Sequence, residues 1–448
     1  MESIKGNRIR QYVKELQQTE RYSSDDLQQM REEKLRKLLL HALDHVPFYK
    51  EFGSLRELIE KDPAAALVQF PVLTKDVVRN DLDRLVAQGV DTTHLILNRT
   101  GGSTGQPVVF YMDRPTVEHF EAARWRALSW WGIHIGDPCV MIWGSPIELS
   151  QQQLRTQRLK DRFLKNQVFI PSFDLRKEKL DEYLDLIDSY KPVYVYGWAS
   201  ALVLFAEFML EKGRKVKVPL KAVLNTAETL TEHDRKVIEA AFGCPVINEY
   251  GARDGGIIAY ECPAGGMHVM SENVWVEVID MKTKKPVPFG QKGLVVVTDL
   301  NNLSSPRLRY QLGDVISLSS EHCSCGRPMP ILKSLDGREN DTLVTLDGAY
   351  VNGQYFTNVA RTLPSVRQFQ VIQDSRDAMT LKLLKHDGLT QEDIDIFCQN
   401  IRDRMGDIHI DVQLVSEIAR QNSGKLRTAM RTFALPTEEE IEPASLIR

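Results

Sequence analysis

The sequence predicts an α/β protein: a large N-terminal domain with α/β layers and a β-rich subdomain, joined by a polar segment to a small α+β C-terminal domain. Three features predict it. Between Cys139 and Asn248 short apolar strands alternate with helical stretches, the pattern of a largely parallel sheet covered by helices. Past Gly255 the alternation gives way to short strands separated by Gly, Pro and Lys turns. Beyond the polar segment ending at Asp341, strands mix with one long helix. The expected division is 1–340, with 255–336 as its β-rich part, and 341–448, the boundary falling at Asn340/Asp341.

From Gln11 to Phe52 the chain carries Leu16, Leu27, Leu35, Leu38, Leu39, Ala42 and Leu43 partly at i, i+3, i+4 spacing, which predicts helix until Val46-Pro47 interrupts it. Thr74 suits the N-cap of a helix over Lys75 to Leu85. Leu95 to Leu97 and Val108 to Tyr111 are strand-like runs flanking a glycine-rich loop. Helices are expected from Thr116 to Trp131, Leu180 to Tyr190, Ser200 to Glu211 and Glu232 to Phe242, with buried strands at 139–143, 193–196, 223–225 and 246–248 between them. The β-rich part offers strands at 274–279, 293–298 and 315–318. In the last block, strands at 342–346, 371–372, 379–384 and 409–415 surround a helix from Gln391 to Met405.

A length of 448 residues suggests roughly three domains. A composition of 42% hydrophobic and 26% charged residues excludes the disordered and fibrous classes. With 57 Lys+Arg against 61 Asp+Glu the net charge is −4, so no global field draws nucleic acid or an anionic membrane, and small molecules or other proteins are the expected partners. No apolar run approaches the ~18 residues of a bilayer span, and Met1 to Arg10 is charged where a secretory signal carries its apolar segment; a cytoplasmic protein is expected. Of six cysteines only Cys323 and Cys325 are close in sequence, which points to reduced thiols or metal ligands and away from a disulfide framework.

Five segments carry residue types suited to nucleotide chemistry. In Thr100-Gly101-Gly102-Ser103-Thr104-Gly105 the glycines let the backbone approach a polyphosphate and the hydroxyls add donors, although an exposed hairpin loop has the same composition. No Gly-Lys-Ser/Thr closes it, so it is not the Walker pattern. Asn248-Glu249-Tyr250-Gly251-Ala252-Arg253-Asp254 directly follows a strand, where α/β sheets bind ligands. Tyr250 there can stack on a base and Glu249 or Asp254 can hold Mg²⁺, the alternative being a turn whose Tyr packs in the core. Arg309-Tyr310-Gln311-Leu312-Gly313-Asp314 and Gly337-Arg338-Glu339-Asn340-Asp341 offer a carboxylate for ribose hydroxyls and a guanidinium fork, or else are charged turns in water. In Asn422-Ser423-Gly424-Lys425-Leu426-Arg427 a glycine lets the lysine swing into another site or stay solvated.

Taken in this order, the five segments resemble the adenylate-forming superfamily of acyl-CoA synthetases, and specifically its phenylacetate-CoA ligase-like branch, including relatives associated with capsule biosynthesis. The resemblance covers nearly the whole chain and takes in His45-Val46-Pro47-Phe48-Tyr49, Phe70-Pro71-Val72-Leu73-Thr74-Lys75 and Gly293-Leu294-Val295-Val296-Val297-Thr298. It implies that Thr100, Gly101, Gly102, Ser103, Thr104 and Gly105 close over the β- and γ-phosphates of ATP. Ala227 and Glu228 would line the adenine pocket with Tyr250, flanked by Glu249 and Gly251, while Asp314 and Arg338 hold the ribose. Asp254 stands where the family has a Mg²⁺-binding Glu, Asp341 matches the hinge, and Lys425 matches the lysine that stabilises the α-phosphorus transition state. Two departures stand out: Gln106 replaces a common Lys of the phosphate loop, and Arg253 replaces Ser or Thr, where its guanidinium could meet an acidic substrate.

The acid pocket is expected among Tyr194, Tyr196, Gly197, Trp198, Ser200, Ala227, Ala252 and Arg253, whose aromatic character suits an aryl or arylacetic acid, although Tyr and Trp at strand spacing also serve as core. Cys262, His268, Cys323 and Cys325 together satisfy tetrahedral Zn²⁺ with no open position, so a structural zinc is expected, with His322 a competing ligand and two unrelated cysteine turns the alternative. The expected activity is ATP-dependent formation of an acyl-adenylate and its transfer to CoA. The rivals are transfer to an amine or hydroxyl, adenylylation of a hydroxylated coenzyme, and a nucleotide-binding scaffold without turnover. The sequence does not fix the oligomeric state, for which a homodimer is the working expectation.

Overall fold

The structure is a computed structural model that describes residues 6–100, 108–143, 161–172, 175, 177–338, 342–363, 365–418 and 427–433. Helices α1 (Ile9–Thr19) and α2 (Ser24–His45) open the chain, the second started by a Ser23/Asp26 capping box and ended at Val46, where Pro47 begins a 3-10 segment. Short helices α3 (Arg56–Lys61), α4 (Pro63–Leu67) and α5 (Lys75–Asn80) follow. Thr74 caps α5 as expected, but the helix is shorter than the sequence suggested and gives way to a 3-10 turn at Asp83–Leu85. An antiparallel hairpin, β1 (Ile96–Arg99) and β2 (Val109–Met112), leads into α6 (Arg114–Ser129), capped by Asp113.

Among the described residues the dominant element is an eleven-stranded sheet. Its parallel half comprises β3 (Cys139–Trp143), β4 (Gln167–Pro171), β5 (Tyr194–Trp198), β6 (Ala222–Thr226) and β7 (Val246–Ala252). The helices α7 (Leu180–Tyr190), α8 (Ala199–Glu211) and α9 (Glu232–Phe242) connect these strands. Residues alternate across it. Val195 and Val223 pack with α7, α8 and α9 on one face, and Tyr196 and Leu224 pack with α1 and α6 on the other.

The β-rich segment is not a separate sheet. Strands β8 (Gly256–Glu261), β9 (Met267–Val269), β10 (Val274–Ile279), β11 (Gly293–Asp299), β12 (Tyr310–Ser319) and β13 (Ile331–Arg338) continue the same sheet antiparallel, in the order β10-β11-β12-β13-β9-β8-β7. They keep their own hydrophobic core with α2 and the segment after it, around Tyr49, Phe70, Val295 and Tyr310. Gly337 and Arg338, for which a charged turn was the alternative reading, form the end of β13.

The C-terminal unit forms a hairpin, β14 (Thr342–Val344) with β15 (Tyr350–Asn352), then α10 (Gln354–Arg361), β16 (Phe369–Ser375), β17 (Ala378–Leu384), α11 (Gln391–Met405), β18 (His409–Val415) and β19 (Ala429–Arg431). A four-stranded sheet, β18-β17-β16-β19, and the two helices share a core around Phe356, Phe369 and Phe397. No helix among the described residues is long and apolar enough to cross a membrane.

Candidate functional site

Strand β7 is where the sheet changes direction: it pairs parallel to β6 through Asn225/Asn248 and antiparallel to β8 through Glu249/Tyr260, with a bulge between Tyr250 and Gly251. Such a switch point, at the carboxyl ends of parallel strands, is the natural place for a ligand crevice. The Tyr250 hydroxyl donates to Asp314 Oδ2 at 2.8 Å, and the Tyr310 hydroxyl donates to Asp254 Oδ2 at 2.7 Å. Two sequence motifs are thus tied together by crossed bonds, each supplying a tyrosine to the other's aspartate. Burial pushes the Tyr310 phenol well up, and Asp254 beside it adds to the rise, so the phenol stays protonated and donates.

Asp314 lies directly opposite Arg338 in the β12/β13 register, which brings the two expected ribose residues to facing positions. Arg309, the other arginine of that motif, is committed elsewhere. It is buried, its Nε lies 3.1 Å from Glu277 Oε1, and its NH1 donates to the carbonyls of Val68 and Phe70. These contacts hold it at φ +54° just before β12 begins. Ala227, just after β6, also sits in the left-handed region at φ +65° and is exposed. A Cβ-bearing residue there is strained by about 1–3 kcal/mol, and such strain concentrates at functional sites. Glu228 spends its carboxylate on the Ser200 backbone N–H at 2.8 Å, capping α8, whose N-cap Trp198 supplies no side-chain acceptor.

Thr100 closes the neck of the glycine-rich loop: its hydroxyl accepts from the Val108 N–H at 3.0 Å and its own N–H donates to the Val108 carbonyl at 2.9 Å. Gly101, Gly102, Ser103, Thr104, Gly105, Gln106, Asp341 and Lys425 lie outside the described residues, as does the side chain of Arg338.

The expected acid pocket divides. Tyr194 is a core residue, packed with Cys139 and Leu128 under α6. Gly197 serves packing, because a Cβ there would meet the Ile142 carbonyl and Leu202 at 3.1 Å. Arg253 is exposed, and Ala252 is partly buried at the end of β7. Tyr196 and Trp198 do meet, through Trp143: its ring stacks on Tyr196 at 5.5 Å and stands edge-on to Trp198 at 4.9 Å. Beneath this wall Glu249 accepts from Tyr196 Oη at 3.0 Å, Thr226 Oγ1 at 2.8 Å and Arg124 Nε at 3.1 Å. Sequence reasoning missed Arg124, Trp143 and Thr226. The available signal was an arginine beside Ala122 and Ala123 on the otherwise buried stripe of α6.

The four proposed metal ligands converge. The donor atoms of Cys262, His268, Cys323 and Cys325 all lie within 4.8 Å of one another, with Cys262 Sγ and Cys323 Sγ 3.6 Å apart and His268 Nε2 3.1 Å from Cys325 Sγ. A Cβ on Gly266 would sit 2.5 Å from Cys323 Sγ, so only glycine lets the two turns close. His322 is not in the group. Burial pushes His268 down to about 4, which keeps the imidazole neutral, the form that binds a metal. The set fits a closed tetrahedral N/S site. Trp130, which ends α6, packs edge-on to His268 at 5.6 Å, so the cluster also anchors the helix that carries Arg124.

Residues 343–432 match the family described as the CapK C-terminal domain. Protein CapK of Staphylococcus aureus is 25% identical over 414 residues, 91% of this chain and 90% of that protein. The phenylacetate-coenzyme A ligase of Thermus thermophilus is 25% identical over 334 residues, 71% of this chain and 72% of that protein. Among solved structures, 2-hydroxyisobutyryl-CoA ligase in its postadenylation state superposes with a TM-score of 0.67 at 18% identity, covering 94% of this chain and 92% of that one, and shares its fold. These relatives and structural neighbours support a place in the adenylate-forming superfamily, in its phenylacetate-CoA ligase-like branch.

Proposed function

We propose that the protein activates a carboxylic acid with ATP and transfers the acyl group to CoA. In the first step a carboxylate oxygen bonds to the α-phosphorus and the bond to pyrophosphate breaks, leaving an acyl-adenylate. In the second the CoA sulfur, its proton lost to solvent, bonds to the acyl carbon and AMP leaves. The observation that carries this reading is the pair of crossed Tyr–Asp hydrogen bonds, which brings the Tyr250 and Asp314 motifs together at the switch point of the sheet. Tyr250 would face adenine with Ala227 and Glu228 around it, Asp314 and Arg338 would take the ribose, and Thr100 to Gly105 the β- and γ-phosphates. Asp254 would hold Mg²⁺, which when bound offsets the charge of the phosphates. Lys425 would stabilise charge at the α-phosphorus, and rotation of the C-terminal unit about Asp341 would withdraw it before the thiol enters. The wall of Trp143, Tyr196 and Trp198 supports a ring-bearing, aryl or arylacetic acid. The closed Cys₃His set supports a zinc ion with a structural role.

The test is pyrophosphate–ATP exchange across aryl, arylacetic, fatty, amino and sugar acids, followed by CoA-dependent AMP release with any acid that responds. Exchange with one acid class and AMP release only with CoA is the expected result. Exchange without a CoA requirement would shift the second step to an amine or hydroxyl acceptor, and silence across the panel with ATP bound would overturn the reading.

A further inference from the structure

We infer that the acid activated here carries a polar group that accepts hydrogen bonds, a hydroxyl, a carbonyl or a second carboxylate, and that Arg124 selects for it. This rests on the adenylation reading above and narrows its substrate. Successive strand residues face opposite sides of a sheet, so while Tyr250 turns toward Asp314, its neighbour Glu249 turns toward α6. The Glu249 side chain is only 2% exposed and is fully engaged by Arg124, Tyr196 and Thr226. A pocket meant for a bare ring or alkyl chain gains nothing from a buried ion pair at this position, because burying charge is costly and apolar atoms return no hydrogen bond.

Arg124 is not used up by this pair. Its side chain is 28% exposed, its second contact to Tyr196 Oη is long at 3.4 Å, and its NH1 approaches Glu121 only to 3.7 Å, beyond hydrogen-bond range. Its guanidinium carbon lies 5.5 Å from the centre of the Tyr196 ring, the same ring on which Trp143 stacks. The outer edge of the guanidinium therefore presents N–H donors beside the aromatic wall. Behind it the Tyr260 hydroxyl, wholly buried, has no partner among the described residues. Donors left unfilled among the described residues call for a ligand that brings acceptor oxygens. The sequence suggested a guanidinium for an acidic substrate at Arg253; Arg124 brings a guanidinium to the aromatic wall.

The test compares kcat/KM for pyrophosphate exchange with two matched pairs, phenylacetate against 4-hydroxyphenylacetate and pentanoate against glutarate. The enzymes are wild type, Arg124→Met and the double variant Arg124→Met/Glu249→Ile, which replaces the buried pair by apolar volume and so guards against loss of the fold. The wild type is expected to prefer the polar member of at least one pair by ~10²-fold, and both variants to reduce that preference by ~10-fold or more, chiefly through KM for the polar acid. A wild-type preference for the apolar member of both pairs, or a ratio unchanged in both variants, would overturn the inference and leave adenylation standing. No exchange with any acid would overturn the adenylation reading and this inference with it.

Discussion

The Tyr310 hydroxyl donates to Asp254 Oδ2 at 2.7 Å, and the same relationship recurs with partners exchanged in the 2.8 Å bond from Tyr250 to Asp314. In each motif the aspartate follows its tyrosine by four residues, so the end of β7 and the start of β12 are laced together at two points. Both carboxylates are thereby fixed by neutral donors, which on the proposed reading preorganises them for the nucleotide and its metal.

Tyr310→Phe removes one of those donors and leaves the buried Asp254 without it. The expected result is a stability loss of about 1–3 kcal/mol and a several-fold rise in the Mg²⁺ concentration needed for half-maximal pyrophosphate exchange. Urea unfolding and a Mg²⁺ titration read the two effects separately. A variant that loses stability yet keeps the wild-type Mg²⁺ requirement would assign Tyr310 to the core alone.

Lys425→Ala should lower adenylation by ~10²–10³-fold while leaving thiolation of a supplied acyl-adenylate close to wild type. Single-turnover measurement of each half-reaction checks it, and equal loss in both would contradict the role given to this lysine.

Gently purified protein should contain about one zinc per chain. Cys325→Ser should abolish that stoichiometry and lower the thermal midpoint, because the cluster joins the β8/β9 and β12/β13 turns and backs the end of α6. Metal analysis that finds no zinc in the wild type would leave the cluster as four packed side chains.

His119, stacked on Tyr12 at 3.8 Å, links α6 to α1, and burial foremost pushes its imidazole down from 6.5 to about 4, with Lys34 adding to the fall. Its Nδ1 is buried without a partner among the described residues. Because the unfolded chain takes up this proton first, stability is full above pH 6.5 and declines as pH falls toward 4. Unfolding free energies measured across that window should fall less steeply in His119→Phe than in wild type.

Where the signals are local, the sequence is read almost to the residue. The helix Glu232–Phe242 is bracketed by a Thr231/Asp234 capping box and a left-handed Gly243, and Gln391–Met405 starts from the Thr390 cap. The motifs proposed for the nucleotide could be singled out for the same reason, since each keeps its residues within a short stretch of sequence. The strands β4, β8 and β19 and the helix α10 escaped, being short segments whose hydrogen bonds or packing partners lie far along the chain.

By itself, then, the sequence determined the alternating α/β architecture and the small α+β unit, and it singled out the short motifs to which the proposed nucleotide chemistry is assigned. The tertiary structure decided that the β-rich segment extends the parallel sheet through β7, and that Tyr310 serves Asp254 while Tyr250 serves Asp314. It also decided that Arg124 reaches Glu249 across a sequence separation of 125 residues. The physical reason is range: caps, turns and hydrophobic periodicity act within a few residues, whereas strand order and buried polar pairs are set by which distant surfaces exclude water together.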